Sequence, residues 1–312
     1  MAVGTILGSL KKKRLHKTIL EPMVHLWLEQ NPVGFDEFTK QDWTFLRKLI
    51  LRDRRRKTSV FSPSGATRCM RHQVISKNPE LPQVSTRDSQ TQIIFDDGNW
   101  RHLKWQMLFY KMGIVDSVET FKQMGHLQYG GSTDLVIMEG VLTLPDGYNG
   151  RVIIDVKGAN RFAFKGIQES LKPPLEYEIQ IQVYMMLHDI PWAIIWFENK
   201  DDQSVAEVLV KADPKLQKFM MKRMNYMRRF VLEDAFPKEE CRVDNSDRTF
   251  RRCPSRVSCP KLPIHVVKGG EILKSHKPRI KDPDYQQYDV LPLKKFKGKL
   301  GERGQSSEML PS

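Results

Sequence analysis

Two aspartates and a lysine stand in apolar surroundings in the stretch 130–158, which reads GGSTDLVIMEGVLTLPDGYNGRVIIDVKG. Asp134 lies in one β-prone run, and a second run, RVIIDV, leads through Asp155 to Lys157. The connecting residues include PDGYNG, which is rich in turn formers, so the stretch predicts a β-hairpin. Charged side chains are depleted from apolar strands because desolvation disfavours the charge, so these three residues need a partner or a function.

A divalent metal ion would account for the two acids. Mg²⁺ and Mn²⁺ are hard ions that prefer oxygen ligands, which Asp134 and Asp155 would supply from adjacent strands. Residues i and i+2 of a strand share a face, so Lys157 would lie beside the metal and could orient a water or stabilise developing negative charge. This arrangement suits phosphodiester hydrolysis. The alternative is a salt bridge between Asp155 and Lys157 at a strand end, with Asp134 capping a turn.

The composition is that of a basic globular protein. The chain has 312 residues, which is enough for one large domain or two small ones. It is 40% hydrophobic and carries a formal charge of +14, with a pI near 9.6. It has no apolar run of membrane-spanning length, and MAVGTILGSLKKKR lacks a secretory signal pattern, so we expect a cytoplasmic protein without a membrane partner. The charge suits a polyanion, most simply DNA, although lysines and arginines also serve solubility alone.

The chain contains four cysteines, Cys69, Cys241, Cys253 and Cys259. Disulfides are not expected in a cytosolic chain, whereas four thiols suffice for one metal site or one cluster. Thiolates are soft ligands that select iron–sulfur clusters or zinc, and the residue types alone leave both open.

Basic segments lie at both ends of the chain. Residues 1–60 predict a mostly helical basic arm, with LKKKRLHK near its start and an amphipathic helix over 36–57 that ends in a basic run. That run could contact phosphates, or it could be a solvated helix end, where cations are favoured. Residues 263–312 are Lys-rich and aperiodic, which predicts a flexible tail with non-specific phosphate contacts.

Four basic side chains are candidate DNA contacts. Two flank Cys69 in the segment SPSGATRCMRH, and two lie in GANRFAFKG, a basic and aromatic segment after Lys157. Either segment could follow a DNA strand, although the second could equally be a simple loop. The four candidates are Arg68, Arg71, Arg161 and Lys165.

The remaining pattern predicts further helices and strands. Ser62, Pro63 and Ser64 predict the start of a helix that contains Cys69. Apolar residues at helical spacing predict helices over 93–112, 173–190 and 213–233, and β-prone runs predict strands over 116–123, 126–138, 192–198 and 204–210. Gln180 and Tyr184 are four residues apart in the second of these helices and therefore share a face.

The order of these features resembles the PD-(D/E)XK nuclease superfamily, and within it the RecB-like iron–sulfur nucleases. CRISPR-associated and helicase–nuclease domains, some of them phage-encoded, are similar. The resemblance covers roughly 61–262 and rests on a cysteine before the core, a G-x(3)-H element, an acidic strand, D-x-K, Q-x(3)-Y and three later cysteines. These elements are Cys69, Gly98 to His102, Asp134, Asp155 to Lys157, Gln180 to Tyr184, and Cys241, Cys253 and Cys259. The gap between the second and third cysteines is longer than the usual x(2), which departs from the family pattern.

The resemblance implies a restriction-endonuclease-like α/β (α+β) core, in which a central mixed sheet is flanked by helices. It would occupy 61–262, between the basic helical arm 1–60 and the tail 263–312. The implied activity is that of a Mg²⁺- or Mn²⁺-dependent deoxyribonuclease, an exonuclease in DNA processing, recombination or repair. The implied metal ligands are His102, Asp134, Asp155 and the Val156 carbonyl.

The resemblance also assigns roles to other residues. Lys157 would position the attacking water, and Gln180 and Tyr184 would help to hold the DNA or the active-site groups. The four cysteines would hold a structural [4Fe–4S] cluster, with Cys₄ zinc as the competing assignment.

Two other functions remain open from the sequence. One is a non-catalytic nucleic-acid-binding protein with a structural Cys₄ zinc site. The other is a nuclease subunit that acts with a separate helicase or recombination protein, because the chain has no G-x(4)-G-K-[ST] motif for driving a motor itself.

Overall fold

The computed structural model describes residues 18–31, 37–51, 61–85, 88–241 and 248–275. Its α-helices are α1 (Leu20–Gln30), α2 (Lys40–Leu51), α3 (Met70–Ile75), α4 (Ser89–Lys111), α5 (Arg161–Ser170), α6 (Leu175–His188), α7 (Pro214–Leu232) and α8 (Arg248–Arg251). Its strands are β1 (Val115–Val118), β2 (Phe121–Met124), β3 (Tyr129–Ser132), β4 (Leu135–Ile137), β5 (Val152–Ala159), β6 (Trp192–Asn199), β7 (Val205–Lys211), β8 (Ile264–Lys268) and β9 (Glu271–Ser275). None of these helices is long and apolar enough to cross a membrane.

A five-stranded mixed sheet forms the centre of the fold, in the order β1-β4-β5-β6-β7. The pair β4–β5 is the predicted hairpin, and its antiparallel register sets Leu135 opposite Ile154. The neighbouring pair β5–β6 is parallel, with α5 and α6 in the crossover between the strands, as a parallel connection requires.

Alternation along β5 divides the core between the two faces of the sheet. Ile153 and Ala159 pack in the cluster that covers one face, together with apolar residues of α3, α5, α6 and α7. Val152, Ile154 and Val156 pack in the cluster on the other face with residues of α1 and α4. The predicted fold class, α/β with a central mixed sheet flanked by helices, is confirmed.

Local caps explain where several helices begin. The Asp88 carboxylate accepts from the Thr91 amide at the start of α4, and the Asn160 side chain accepts from the Ala163 amide at the start of α5. The cap of α1 comes from a distant residue: Glu207 of β7 accepts from the amides of Leu20 and Glu21 at 2.8 and 2.9 Å. Part of the predicted arm 1–60 therefore packs on the sheet.

Several predicted elements differ in detail. The single strand predicted over 116–123 is two strands in different sheets, because Glu119 between them has a left-handed backbone with φ 50°. Cys69 is the N-cap of α3 rather than a residue inside it. The segment predicted as a tail begins with the antiparallel hairpin β8–β9, while 276–312, the basic run at 52–57 and LKKKRLHK lie outside the described residues.

Candidate active site

The two predicted acids face each other across the β4–β5 hairpin. Extending the register by one residue beyond the Leu135–Ile154 pair sets Asp134 opposite Asp155, where Cα atoms of a paired ladder lie about 4.5–5.5 Å apart. Asp155 is 1% exposed. The hairpin therefore brings together the two carboxylates that the sequence singled out.

Asp134 is held by two groups from different elements. His102 of α4 places its Nδ1 3.1 Å from Asp134 Oδ1, and the Val156 amide donates to Asp134 Oδ2 at 2.7 Å. His102 thus contacts Asp134, which lies between β3 and β4. The role of His102 as a metal ligand stays a prediction. The other predicted ligand atom, the carbonyl oxygen of Val156, belongs to the residue whose amide already orients Asp134.

Lys157 lies beside Asp155, with its Nζ 2.8 Å from Oδ2. The geometry is that of an ion pair and is poor for a hydrogen bond, so this buried oxygen accepts no hydrogen bond among the described residues. The same ammonium lies 5.4 Å from the centroid of the Tyr177 ring of α6. The salt bridge between Asp155 and Lys157 that the alternative interpretation predicts therefore exists, but it lies inside β5 rather than at a strand end.

The pKa shifts follow from burial of opposite charges together. Burial, reinforced by the charge of Asp134, raises the pKa of Asp155 although Lys157 opposes the shift. Burial alone would raise the pKa of Asp134, but His102 and Lys157 hold it below its usual range. Burial would lower the pKa of Lys157 and of His102, yet the two carboxylates raise both. Lys157 is therefore a cation at neutral pH.

Gln180 and Tyr184 lie on the α6 face that covers these acids. Both are nearly buried, at 9% and 8% exposure. Burial and the nearby charges of Asp155 and Asp134 raise the pKa of the Tyr184 phenol. The tyrosine ring also limits Gly131 of β3, because a Cβ there would lie 3.1 Å from the ring and 2.6 Å from Cδ of Pro63.

Two polar residues that the sequence did not reveal, Gln106 and Glu119, hold the backbone carbonyl of Asp134. Gln106, one turn after His102 on α4, is 2% exposed, and its Nε2 donates to the Asp134 carbonyl at 3.0 Å and to Glu119 Oε1 at 2.8 Å. The amide of Glu119 donates to the same carbonyl at 3.2 Å. The i, i+4 spacing of His102 and Gln106 was the one available sequence signal, and their partners lie in other elements.

The donor set fits a hard divalent ion. Carboxylate oxygens, an imidazole nitrogen and a buried carboxylate oxygen without a hydrogen bond converge at the central strand β5, and such ligands suit Mg²⁺ or Mn²⁺. In the parts of the chain that the structure describes, no three His, Cys, Asp or Glu side chains are already arranged as a metal-binding group. Binding would therefore require the ligands to draw together, with His102 and Lys157 giving up their contacts to the carboxylates.

The four predicted DNA contacts do not share one environment. The prediction for Arg71 is corrected: the residue is 1% exposed, and its guanidinium donates to the carbonyls of Pro237, Cys259 and Leu262 at 2.8 Å each. Such buried donors are committed to the protein and cannot reach a phosphate. The other three candidates, Arg68, Arg161 and Lys165, are exposed.

The segments that carry the four cysteines meet at the start of α3. The Glu240 amide, next to Cys241, donates to Cys69 Sγ at 3.5 Å, and Arg71 Nε donates to Cys259 Sγ at 3.1 Å. Nδ1 of His72 lies 2.8 Å from the Ser255 hydroxyl, two residues after Cys253. Burial, with the charge of Glu240, raises the pKa of the Cys69 thiol to about 11.

Comparison with known proteins gives likenesses in structure only. No protein-family model matches the chain, and no curated protein matches it. The alkaline exonuclease LHK-Exo from Laribacter hongkongensis, crystallised with dAMP, is similar over 57% of this chain and 90% of its own, with 13% identity and a TM-score of 0.43. A phage-related exonuclease from Haemophilus somnus 129PT is similar over 56% of this chain and 94% of its own, with 13% identity and a TM-score of 0.30.

Proposed function

We propose that the chain is a metal-dependent deoxyribonuclease and that the site around Asp134 and Asp155 hydrolyses phosphodiesters. The observation that carries the proposal is the convergence of two opposed carboxylates, the buried Asp155 and the partly buried Asp134, with a lysine and a histidine at the central strand β5. Burying like charges is costly, and sites that require shifted pKa values are where such arrangements concentrate.

The residues divide the chemistry between them. Asp134, Asp155, His102 and the Val156 carbonyl would hold Mg²⁺ or Mn²⁺, which would activate water and neutralise charge on the phosphate. Lys157, which stays protonated, is suited to orient the attacking water and to stabilise negative charge rather than to act as a base. Gln180 and Tyr184 position the carboxylates and the bound strand.

Cleavage of end-labelled DNA with Mg²⁺ or Mn²⁺ tests the proposal directly. We expect Asp134→Asn and Lys157→Met to abolish cleavage while DNA binding, measured by fluorescence anisotropy, stays within a few-fold of wild type. The matched controls are Asp146→Asn, which changes an exposed acid of the hairpin connection, and Lys215→Met, which changes an exposed lysine at the start of α7. Cleavage that survives in either site variant, or that is lost equally in the controls, would refute the site.

The same substrates define the finer assignment. The resemblance to the RecB-like nucleases implies an exonuclease, and we propose that the chain releases nucleotides from a DNA end. An end-labelled linear DNA should therefore be degraded and a closed circular DNA spared. Cleavage of the circle would instead identify an endonuclease. A protein that binds DNA without cleaving it under any metal would favour the non-catalytic alternative with a Cys₄ zinc site.

We further propose that Cys69, Cys241, Cys253 and Cys259 hold a [4Fe–4S] cluster. Support comes from the convergence of their segments at the start of α3 and from Arg71, whose cation beside Cys259 would stabilise a thiolate. Anaerobic purification followed by iron, sulfide and zinc analysis tests this. About four irons per chain would agree with the cluster. One zinc per chain and no iron would instead support the Cys₄ zinc site.

A further inference from the structure

Phe162, on the first turn of α5, is 88% exposed. The apolar residues that face the core from this helix are Phe164 and Ile167, both buried, so Phe162 is not part of the core stripe. The Asn160 cap fixes the start of the helix and hence the position of Phe162 on its first turn. The fold thus presents an aromatic side chain to solvent without a packing role.

The surroundings of Phe162 are open and cationic. Gly166 follows one helical turn later, and a Cβ there would meet no heavy atom within 4 Å. Glycine inside a helix costs roughly 0.5–1 kcal/mol relative to alanine, and at this position it leaves the surface one turn after Phe162 without a side chain. Arg161 and Lys165 are exposed, and Lys165 forms an ion pair with Glu169 at 3.8 Å, a solvated pair that a phosphate can displace. We call Arg161, Phe162, Lys165 and Gly166 the α5 platform.

The α5 platform lies beside the candidate active site. Ala159, two residues after Lys157 on β5, packs in the same cluster as Phe164 and Ile167 of α5. Side chains at i and i+2 of a strand share a face, so α5 covers the face that carries Asp155 and Lys157. Phe162 follows Lys157 by five residues, so their Cα atoms lie at most about 18 Å apart, which is within reach of one short DNA strand.

We propose that Phe162 stacks on an unpaired base of the DNA strand whose phosphate lies at Lys157, while Arg161 and Lys165 bind neighbouring phosphates. The inference rests on the proposed nuclease function and specifies its substrate as single-stranded DNA or an unpaired end. A base inside a duplex is already stacked on both faces and offers no free face to the ring. Stacking on an aromatic side chain is worth about 1–3 kcal/mol per base and tolerates any sequence.

Binding in EDTA, without cleavage, tests the platform. Fluorescence anisotropy with a single-stranded 12-mer should show Phe162→Leu binding about tenfold more weakly than wild type, because the variant keeps an apolar side chain but loses the aromatic face. Phe162→Trp should retain wild-type affinity, and a blunt duplex of the same length should distinguish the variants by less than about twofold. Leu232→Ala, an exposed apolar change at the far end of α7, is the control and should change neither affinity.

Salt titration separates stacking from charge. Phe162→Leu should lower affinity without changing the slope of log K against log salt, whereas Arg161→Gln and Lys165→Gln should each reduce the slope by about 0.7. Single-strand affinity that is equal in Phe162→Leu and wild type would overturn the platform alone. Loss of the nuclease proposal would appear instead as wild-type protein that fails to cleave end-labelled DNA with Mg²⁺ or Mn²⁺, so the two failures are distinguishable.

Discussion

The amide of Val156 donates a 2.7 Å hydrogen bond to Oδ2 of Asp134, so the backbone just before Lys157 holds the carboxylate across the hairpin. This contact separates the structural from the chemical role of Asp134. Asparagine can still accept from the Val156 amide, whereas alanine leaves that amide without its acceptor, at a cost of about 1–3 kcal/mol.

We therefore expect Asp134→Ala to lower the free energy of unfolding by about 1–3 kcal/mol and Asp134→Asn to lower it much less, while both lose cleavage. Urea unfolding followed by circular dichroism, alongside the cleavage assay, measures the two effects. Equal stability of the two variants would show that the hydrogen bond contributes nothing.

Gln106 is expected to affect the affinity for the metal ion, although it contacts the Asp134 backbone and is not itself a proposed ligand. Gln106→Leu keeps the volume but removes the donor that joins the Asp134 carbonyl to Glu119. Removing such outer contacts typically costs 10–100-fold in metal affinity or activity. We expect the Mn²⁺ concentration for half-maximal cleavage to rise at least about tenfold, with maximal rate recovered at high Mn²⁺. A uniform loss of rate at every concentration would argue for general destabilisation instead.

Arg71 is expected to stabilise the fold and to make no contact with DNA. Arg71→Met leaves several buried carbonyls without donors, and we expect unfolding to become easier by more than about 3 kcal/mol. Arg68→Met, whose guanidinium is exposed, should change stability by less than about 0.5 kcal/mol. Denaturant unfolding compares the two, and a stable Arg71→Met with impaired DNA binding would restore the phosphate-contact hypothesis.

His188, at the end of α6, should make stability depend on pH. Burial, with the charges of Lys122 and Arg151, lowers its pKa from 6.5 to about 4. The folded state therefore resists protonation, so this stabilisation is complete above pH 6.5 and declines as the pH falls towards 4. The loss should be at most about 3 kcal/mol, and His188→Gln should remove that part of the pH dependence. Unfolding free energies of wild type and His188→Gln at pH 7, 6, 5 and 4 measure this effect. The same pH dependence in both proteins would contradict the prediction.

Two glycines should respond oppositely to alanine. Gly166 in α5 has open space around it, so Gly166→Ala should stabilise the protein by about 0.5–1 kcal/mol. Gly131→Ala should destabilise it by about 1–3 kcal/mol, because the new Cβ would lie 2.6 Å from Cδ of Pro63. Thermal unfolding of the two variants checks this prediction. A lower unfolding midpoint for Gly166→Ala than for wild type would contradict it.

The hairpin and its acids could be predicted because their signals are local. Turn residues and alternating apolar residues fix β4 and β5, and the register then sets Asp134 opposite Asp155. The helices α4, α6 and α7 likewise follow from apolar spacing. The assigned roles of these residues, and of Gln180 and Tyr184, remain predictions that rest on resemblance and geometry.

The features that were missed depend on distant partners. Arg71 resembles a surface arginine in a polar segment, and its burial follows from carbonyls far along the chain. Gln106 and Glu119 carry no local signal that separates them from solvent-facing polar residues. The break between β1 and β2 arises because Glu119 adopts a positive φ, which is uncommon for a residue other than glycine and has no counterpart in the apolar pattern.

The positions of the partners of Arg71 in the sequence also set an order in which contacts can form during synthesis of the chain. Its acceptors lie 165 to 192 positions later in the chain. At about 5–20 residues per second, a ribosome delivers them roughly 10–40 s after the arginine itself. Until then the guanidinium can be satisfied only by water, while the strands of the central sheet are already available to pair. The contact of residues 236–263 with α3 can therefore form only after all five strands of the central sheet have been synthesised.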